Sequence, residues 1–179
     1  MKNLKNKISI SLGNVCASAM YGLHNGLRPS KKDGYKTCPF DLMVTNVDGI
    51  IDCIKTDFKY FCDPNFLKIR QENHMILHEK YKFFFNHESP YHANLHIKQN
   101  WPTPFHYVDD NFKYFIERYE KRVSNFRFYC ESDYYVIFIL QFYYDEYSDK
   151  LMKRLHDAIK NRFPILEYEI KVIPSEYGH

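Results

Sequence analysis

Apolar positions recur along the chain in two periods, and the alternation between those periods outlines the fold. Ile8 to Leu12 reads as a short first strand, Gly13 as a sharp turn and Asn14 as the cap of a helix. The apolar positions of that helix, Cys16, Ala19, Met20 and Leu23, fall at i, i+3, i+4 and i+7, and Asn25-Gly26 closes it. Leu27 to Asn46 holds Pro29, Gly34 and Pro39 and reads as loop, with Cys38-Pro39-Phe40-Asp41 pinned against something. A second helix runs from a cap near Asn46 along the stripe Val47, Ile50, Ile51, Ile54, Phe58 and Phe61, and stops at Asp63-Pro64. Farther on, Tyr81, Phe83, Phe85 and His87 alternate with Lys80, Lys82, Phe84 and Asn86, which predicts a half-buried strand ending on His87. Ser89 to Asn111, rich in His, Pro and Asn, predicts a long surface loop with one helical turn after Ser89-Pro90.

The last third is the most regular. Asp110 opens a long helix with Phe112, Phe115, Ile116, Tyr119, Val123 and Phe126 on one stripe and Lys113, Glu117 and Lys121 on the other. Tyr134 to Tyr143 is continuously apolar and rich in β-branched and aromatic residues, the mark of a strand covered on both faces. A helix carrying Leu151, Met152, Leu155, Ala158, Ile159 and Phe163 follows, ended by Pro164, and Leu166 to Ile173 forms a closing strand. Strand, helix, strand in this order predicts a parallel βαβ unit, and hence an α/β fold of three layers around a mainly parallel sheet.

Composition narrows the class. At 179 residues the chain fits one domain, residues 1–179, since domains hold roughly 100–200 residues. Sixteen Tyr, fifteen Phe and only six Gly exclude a disordered tail, a collagen-like repeat or a linker. The net charge of +3 is too mild for a dedicated nucleic-acid binder. No apolar run approaches the roughly 18 residues of a membrane span, so neither nucleic acid nor membrane is expected as a partner. Lys2, Lys5 and Lys7 before Ile8 mimic the start of a signal peptide, but Ser9, Ser11, Gly13 and Asn14 break the apolar run, which predicts an intracellular, cytoplasmic chain. Cys16, Cys38, Cys53, Cys62 and Cys130 are odd in number and irregularly spaced, which indicates neither a disulfide framework nor a zinc ribbon. No cofactor and no metal are called for.

Among these thiols Cys16 stands in the first turn of a helix that follows a strand and a glycine turn. There unpaired amides and the helix dipole favour thiolate and offer donors to an oxyanion. Cys16 also lies on the apolar stripe of its own helix, so a buried structural role is the alternative. His87, at a strand end, is the histidine best placed to act as base, or it packs against Tyr and Phe. His24 at a helix C-terminus is explained by the dipole. His92 and His96, like His74 and His78, are four apart, but no Glu completes a metal motif and they read as loop histidines. Asp41 either orients a histidine or caps its turn. Arg28 is placed to pair with Asp41 or to bind an anion, and Lys121-Arg122 reads as a solvated helix face.

The order Ile10-Ser11-Leu12-Gly13-Asn14-Val15-Cys16, Gly26-Leu27-Arg28, Pro39-Phe40-Asp41, Asp57-Phe58, His87 and Tyr119-Glu120-Lys121-Arg122 resembles the putative papain-like cysteine peptidase family, a domain of unknown function found in bacteria and large DNA viruses. The resemblance covers roughly Ile8 to Ile173. It implies a nucleophilic Cys16, a base role for His87 and an acid or amide as orienter, for which Asp41 is the candidate. Gly13, Asn14 and Arg28 are then expected around the substrate. A viral source would place the chain in the host cytoplasm or the virion. Two positions depart from the family pattern: Leu42 where Trp is common, and Glu88-Ser89 where an acidic-aromatic pair follows the histidine. A papain-like fold would be α+β, which stands as the alternative to the α/β reading.

Three functions follow from these residues. One is a cysteine hydrolase, peptidase-like or acyl-transferring, acting on a protein, peptide or glycan substrate. Another is a non-catalytic interaction module that binds a protein or glycan through its Tyr-rich surface and central loop. The third, a phosphate site at Gly13 to Cys16, has only one glycine to support it.

Overall fold

The computed structural model describes residues 5–72, 74–142 and 147–175. Its main sheet is parallel. Strand β1 (Asn6–Ser11) leads into helix α1 (Ala17–His24), a 3₁₀ turn at Pro39–Leu42 and helix α2 (Val47–Lys55). A small antiparallel sheet follows, made of β2 (Leu67–Ile69), β3 (Ile76–His78) and β4 (Phe83–Phe85). Short helix α3 (Leu95–Lys98) and long helix α4 (Asp109–Glu131) lead to β5 (Tyr134–Gln141), α5 (Asp149–Arg162) and β6 (Glu167–Ile173). The parallel sheet has the order β1-β5-β6, with Ser11 opposite Ile139 and Ile173 opposite Gln141. This is an α/β protein, and the α+β alternative is set aside.

The central place of β5 explains its unbroken apolar run. Val136, Phe138 and Leu140 face the main core beneath α2, α4 and α5, whereas Ile137 and Ile139 pack with Tyr21 and Leu27 on the side of α1. Both faces are therefore dry, as a parallel sheet requires. In β1 the period of two separates Ile8 and Ile10, which join the main core, from Ser9 and Ser11, which are also buried. The small serines make room for α1. A Cβ added at Gly22 would lie 2.3 Å from Ser9 Oγ, so helix and strand approach at glycine distance.

That close approach corrects the expected face of α1. The buried residues are Ala17, Ser18, Ala19 and Gly22, while Cys16 and Met20 are exposed. Asn14 is not the cap. Gly13 and Asn14 both take left-handed backbone, φ 87° and 72°, and the helix starts two residues later with Cys16 at the N-cap position. Two left-handed residues in succession reverse the chain after β1, and Gly and Asn are the residue types that tolerate this conformation best.

Other boundaries also shift. Asn46 caps α2 as expected, its side-chain oxygen accepting from Gly49 N–H at 2.7 Å. The helix ends at Lys55, however, and Phe58 and Phe61 reach the core from the turns beyond. The strand expected through His87 is only Phe83–Phe85, although Tyr81, Phe83 and Phe85 are buried and Lys82 exposed, as the alternation required. The end of the expected strand at Tyr143 lies outside the described residues. No helix among the described residues is long and apolar enough to cross a membrane.

Candidate functional site

The turn between β1 and α1 is held from both sides by hydroxyls. Gly13 N–H donates to Ser11 Oγ at 2.9 Å and Asn14 N–H to Thr45 Oγ1 at 2.7 Å. Thr45 Oγ1 donates in turn to Leu12 O, Thr45 N–H donates to Asn14 O at 3.1 Å, and Ser18 Oγ donates to Gly13 O at 2.7 Å. A Cβ on Gly13 would meet Thr45 Oγ1 at 2.3 Å, so the clamp is closed over glycine. Cys16 emerges from this rigid turn at the carboxyl end of a parallel strand and the start of a helix, where α/β proteins commonly place their ligands. Asn14 is 4% exposed, and its Nδ2 is buried without a hydrogen-bond partner among the described residues.

The other thiols have a different setting. Cys38, Cys53 and Cys130 are buried and Cys62 is half-buried, leaving Cys16 as the exposed cysteine of the chain. Burial pushes the thiols of Cys38, Cys53 and Cys130 well above the usual range and that of Cys62 up to about 12. Such groups stay protonated and unreactive at neutral pH.

His87 is half-buried, two residues beyond β4, with its ring beside His92 at a centroid distance of 5.9 Å. Burial holds its imidazole below the ordinary range, against an opposing pull from Glu88. At neutral pH it is therefore a proton acceptor. The structure does not join it to Cys16 by a hydrogen bond. The segment 40–45 links their surroundings, touching β1 and its turn through the Ser11 contact to Phe40 O and the Thr45 contacts to Asn14, and pairing with β4 through the Val44–Phe84 bridge.

Arg28 and Asp41 are brought together, with Nη1 to Oδ1 at 2.9 Å. Both carboxylate oxygens of Asp41 are occupied. Oδ1 also accepts from Tyr35 at 3.3 Å, and Oδ2 accepts from Cys38 N–H at 2.8 Å, closing a reciprocal cap on the 3₁₀ turn. Arg28 in turn lies over the Tyr35 ring, 4.1 Å from its centroid. The turn-capping role expected for Asp41 is present together with the ion pair.

A second buried charge cluster escaped sequence reasoning. Glu88 is fully buried and receives Arg118 Nε at 3.1 Å, Arg122 Nη2 at 3.2 Å and the Tyr119 hydroxyl at 2.9 Å. Arg122, expected on a solvated face, is 4% exposed. The available signal was the spacing: Arg118 and Arg122 are four apart on the side of α4 that carries Phe115 and Tyr119, so they share the buried stripe. Among the described residues no group of three His, Cys, Asp or Glu is arranged to hold a metal ion. His78, one of the spaced pairs, is buried, and His74 packs against Tyr91.

Taken together, these elements make an α/β protein with a parallel sheet and one exposed cysteine at the turn from β1 to α1. The profile described as putative papain-like cysteine peptidase matches residues 7–178, and the chain belongs to this family. No curated protein and no solved structure matches it.

Proposed function

We propose that this protein is a cysteine hydrolase or acyl-transferring enzyme acting on a peptide or related carbonyl substrate. His87 takes the proton of Cys16 Sγ–H as the sulfur attacks the carbonyl carbon, and returns it to the leaving group as the bond to that group breaks. Water or an acceptor nucleophile then releases the acyl group from the thioester. First-turn amides of α1 and the unpartnered Asn14 Nδ2 supply donors for the oxyanion, since the amides of Gly13 and Asn14 are already occupied. Asp41 and Arg28 act as positioning residues, because every oxygen of Asp41 is engaged within the 35–41 turn.

The observation that supports this reading most directly is the exposure of Cys16, at a helix start, while the other four thiols are buried or half-buried. Iodoacetamide labelling followed by peptide mapping tests it. At pH 7.5 Cys16 is expected to react at least about tenfold faster than Cys53 or Cys130. His87→Ala should slow the labelling of Cys16 itself while leaving the buried Cys53 and Cys130 unchanged. Uniformly slow labelling would overturn the nucleophile, and a rate unchanged in His87→Ala would overturn the base.

A second reading, an interaction module, draws on Tyr91, Ile97 and Phe105, which are exposed apolar side chains within the segment following Ser89. In that case Cys16→Ser leaves partner binding intact while substitutions at these three residues abolish it.

A further inference from the structure

A cavity of about 680 Å³ opens between the 31–37 loop and the middle of α4. Neither Cys16 nor His87 lines it. Among the described residues its walls carry Lys31, Lys36, Arg118, Lys121 and Arg122 against a single acid, Glu117. A wall of five cations and one anion is not a neutral crevice.

The charge excess extends into the protein. Arg118 and Arg122 share one carboxylate, that of Glu88, so the trio carries a net charge of +1, with Glu88 and Arg122 buried and Arg118 partly exposed. Arg122 also has an unmade bond: Nη2 reaches Glu88, but Nη1 is buried without a hydrogen-bond partner among the described residues. A buried guanidinium donor left unsatisfied weakens the fold unless something else accepts from it. An anion entering this cavity would supply that acceptor through a charge-assisted bond to Nη1.

The remaining walls are flat and aromatic. His106 and Tyr114 stack with centroids 4.4 Å apart and planes 20° from parallel, and Tyr35 and Tyr107 also line the space. The loop side is fixed to α4, since Lys36 N–H donates to the Tyr129 hydroxyl at 2.9 Å and Asn125 Nδ2 donates to Thr37 O at 2.8 Å. The site is therefore built in advance, with cations placed beside rings, and its volume falls within the roughly 300–1,000 Å³ of small-molecule pockets.

We propose that this cavity binds a phosphate monoester whose molecule also carries a planar aromatic ring, the phosphate meeting Arg122, Lys36 and Lys121 and the ring lying against Tyr114. A nucleoside monophosphate and a phosphotyrosyl group share this chemistry. The proposal is independent of the role given to Cys16.

Calorimetric titration of the full chain at low salt with AMP, free phosphotyrosine and inorganic phosphate tests it. One of the two ring esters binds more tightly than inorganic phosphate, and the tighter of them names the source. Tyr114→Ala removes the advantage over inorganic phosphate. Lys36→Gln combined with Lys121→Gln, both exposed positions, weakens the ester about tenfold, as loss of two charge-assisted contacts requires. Three results would overturn the proposal: no binding by either ester, inorganic phosphate binding as tightly as both, or an affinity unchanged in the double lysine variant.

Discussion

Arg28 Nη1 donates to Asp41 Oδ1 at 2.9 Å in a pair almost closed to solvent, tying the segment that leaves α1 to the turn that precedes α2. The pair joins two stretches that are otherwise loop, so their conformation depends on it more than on local propensity. Its carboxylate also receives Cys38 N–H and the Tyr35 hydroxyl. Asp41→Asn should therefore cost about 3–5 kcal/mol, because it leaves the Arg28 charge buried and unpaired. Replacing both residues, as Arg28→Met with Asp41→Leu, should recover a large part of that loss. Urea unfolding of the three variants decides the matter; a double variant as unstable as the single one would show that the charge itself is needed.

Gly13→Ala is expected to act on stability and on the thiol together. Its Cβ would sit 2.3 Å from Thr45 Oγ1 and 2.9 Å from Thr45 Cγ2 at a left-handed φ of 87°. Overpacking of this kind costs roughly 1–3 kcal/mol. Displacement of Thr45 also frees the Asn14 amide, so the alkylation rate of Cys16 should change by more than that of Cys53. Equal change at both thiols would mean that the turn does not position Cys16.

At the close approach of α1 to β1 the outcome depends on the partner residue. Gly22→Ala alone drives a methyl to 2.3 Å from Ser9 Oγ and should destabilise by about 1–3 kcal/mol. Ser9 Oγ has no hydrogen-bond partner among the described residues, so Ser9→Ala by itself should be close to neutral. In the Ser9→Ala background the nearest atom to the new methyl is Ser9 Cβ at 3.3 Å, and the better helix propensity of Ala, worth up to about 1 kcal/mol, offsets most of the remaining strain. Thermal unfolding of the four proteins gives the coupling directly. Additive effects would contradict the contact.

Stability should fall on mild acidification because of His78. Burial holds its imidazole below the ordinary range, and the neutral ring accepts from Tyr81 N–H at Nδ1, 3.3 Å, while Nε2 donates to Tyr60 O at 2.9 Å. The unfolded chain takes up a proton near pH 6.5, and the folded chain only at lower pH. Between those values the unfolded state binds more protons, so stability drops as pH falls below about 6.5, by at most about 1.4 kcal/mol per pH unit for one such group. His87 is lowered by the same cause and adds in the same direction. Urea unfolding between pH 7.5 and 5.5 should show this slope, reduced but not abolished in His78→Gln. An unchanged slope in that variant would remove His78 as its source.

Much of the fold was legible because the signals were long and local. The continuous apolar run of β5 and the stripe of α5 define the βαβ unit, and the Asn46 cap was readable from residue type alone. The strands β2 and β3 were missed because three residues hold too little periodicity to separate a strand from a turn. The face of α1 was misread for a related reason: with Ala, Ser and Gly against the sheet, the buried side was the small side and not the apolar one.

What the sequence by itself determined is the α/β class, the parallel C-terminal unit and the short list of residues around Cys16, since periodicity, capping and motif order are properties of neighbours in the chain. Which of those residues touch was decided by tertiary structure alone. Exposure of Cys16 depends on how closely Gly22 approaches Ser9, and burial of Arg122 depends on Glu88, thirty-four residues earlier in the chain, arriving at the same side of α4. A charged residue on a helix reads as solvated until a distant carboxylate is packed against it, because the energy that makes its burial tolerable is supplied by that partner and not by anything in its own segment.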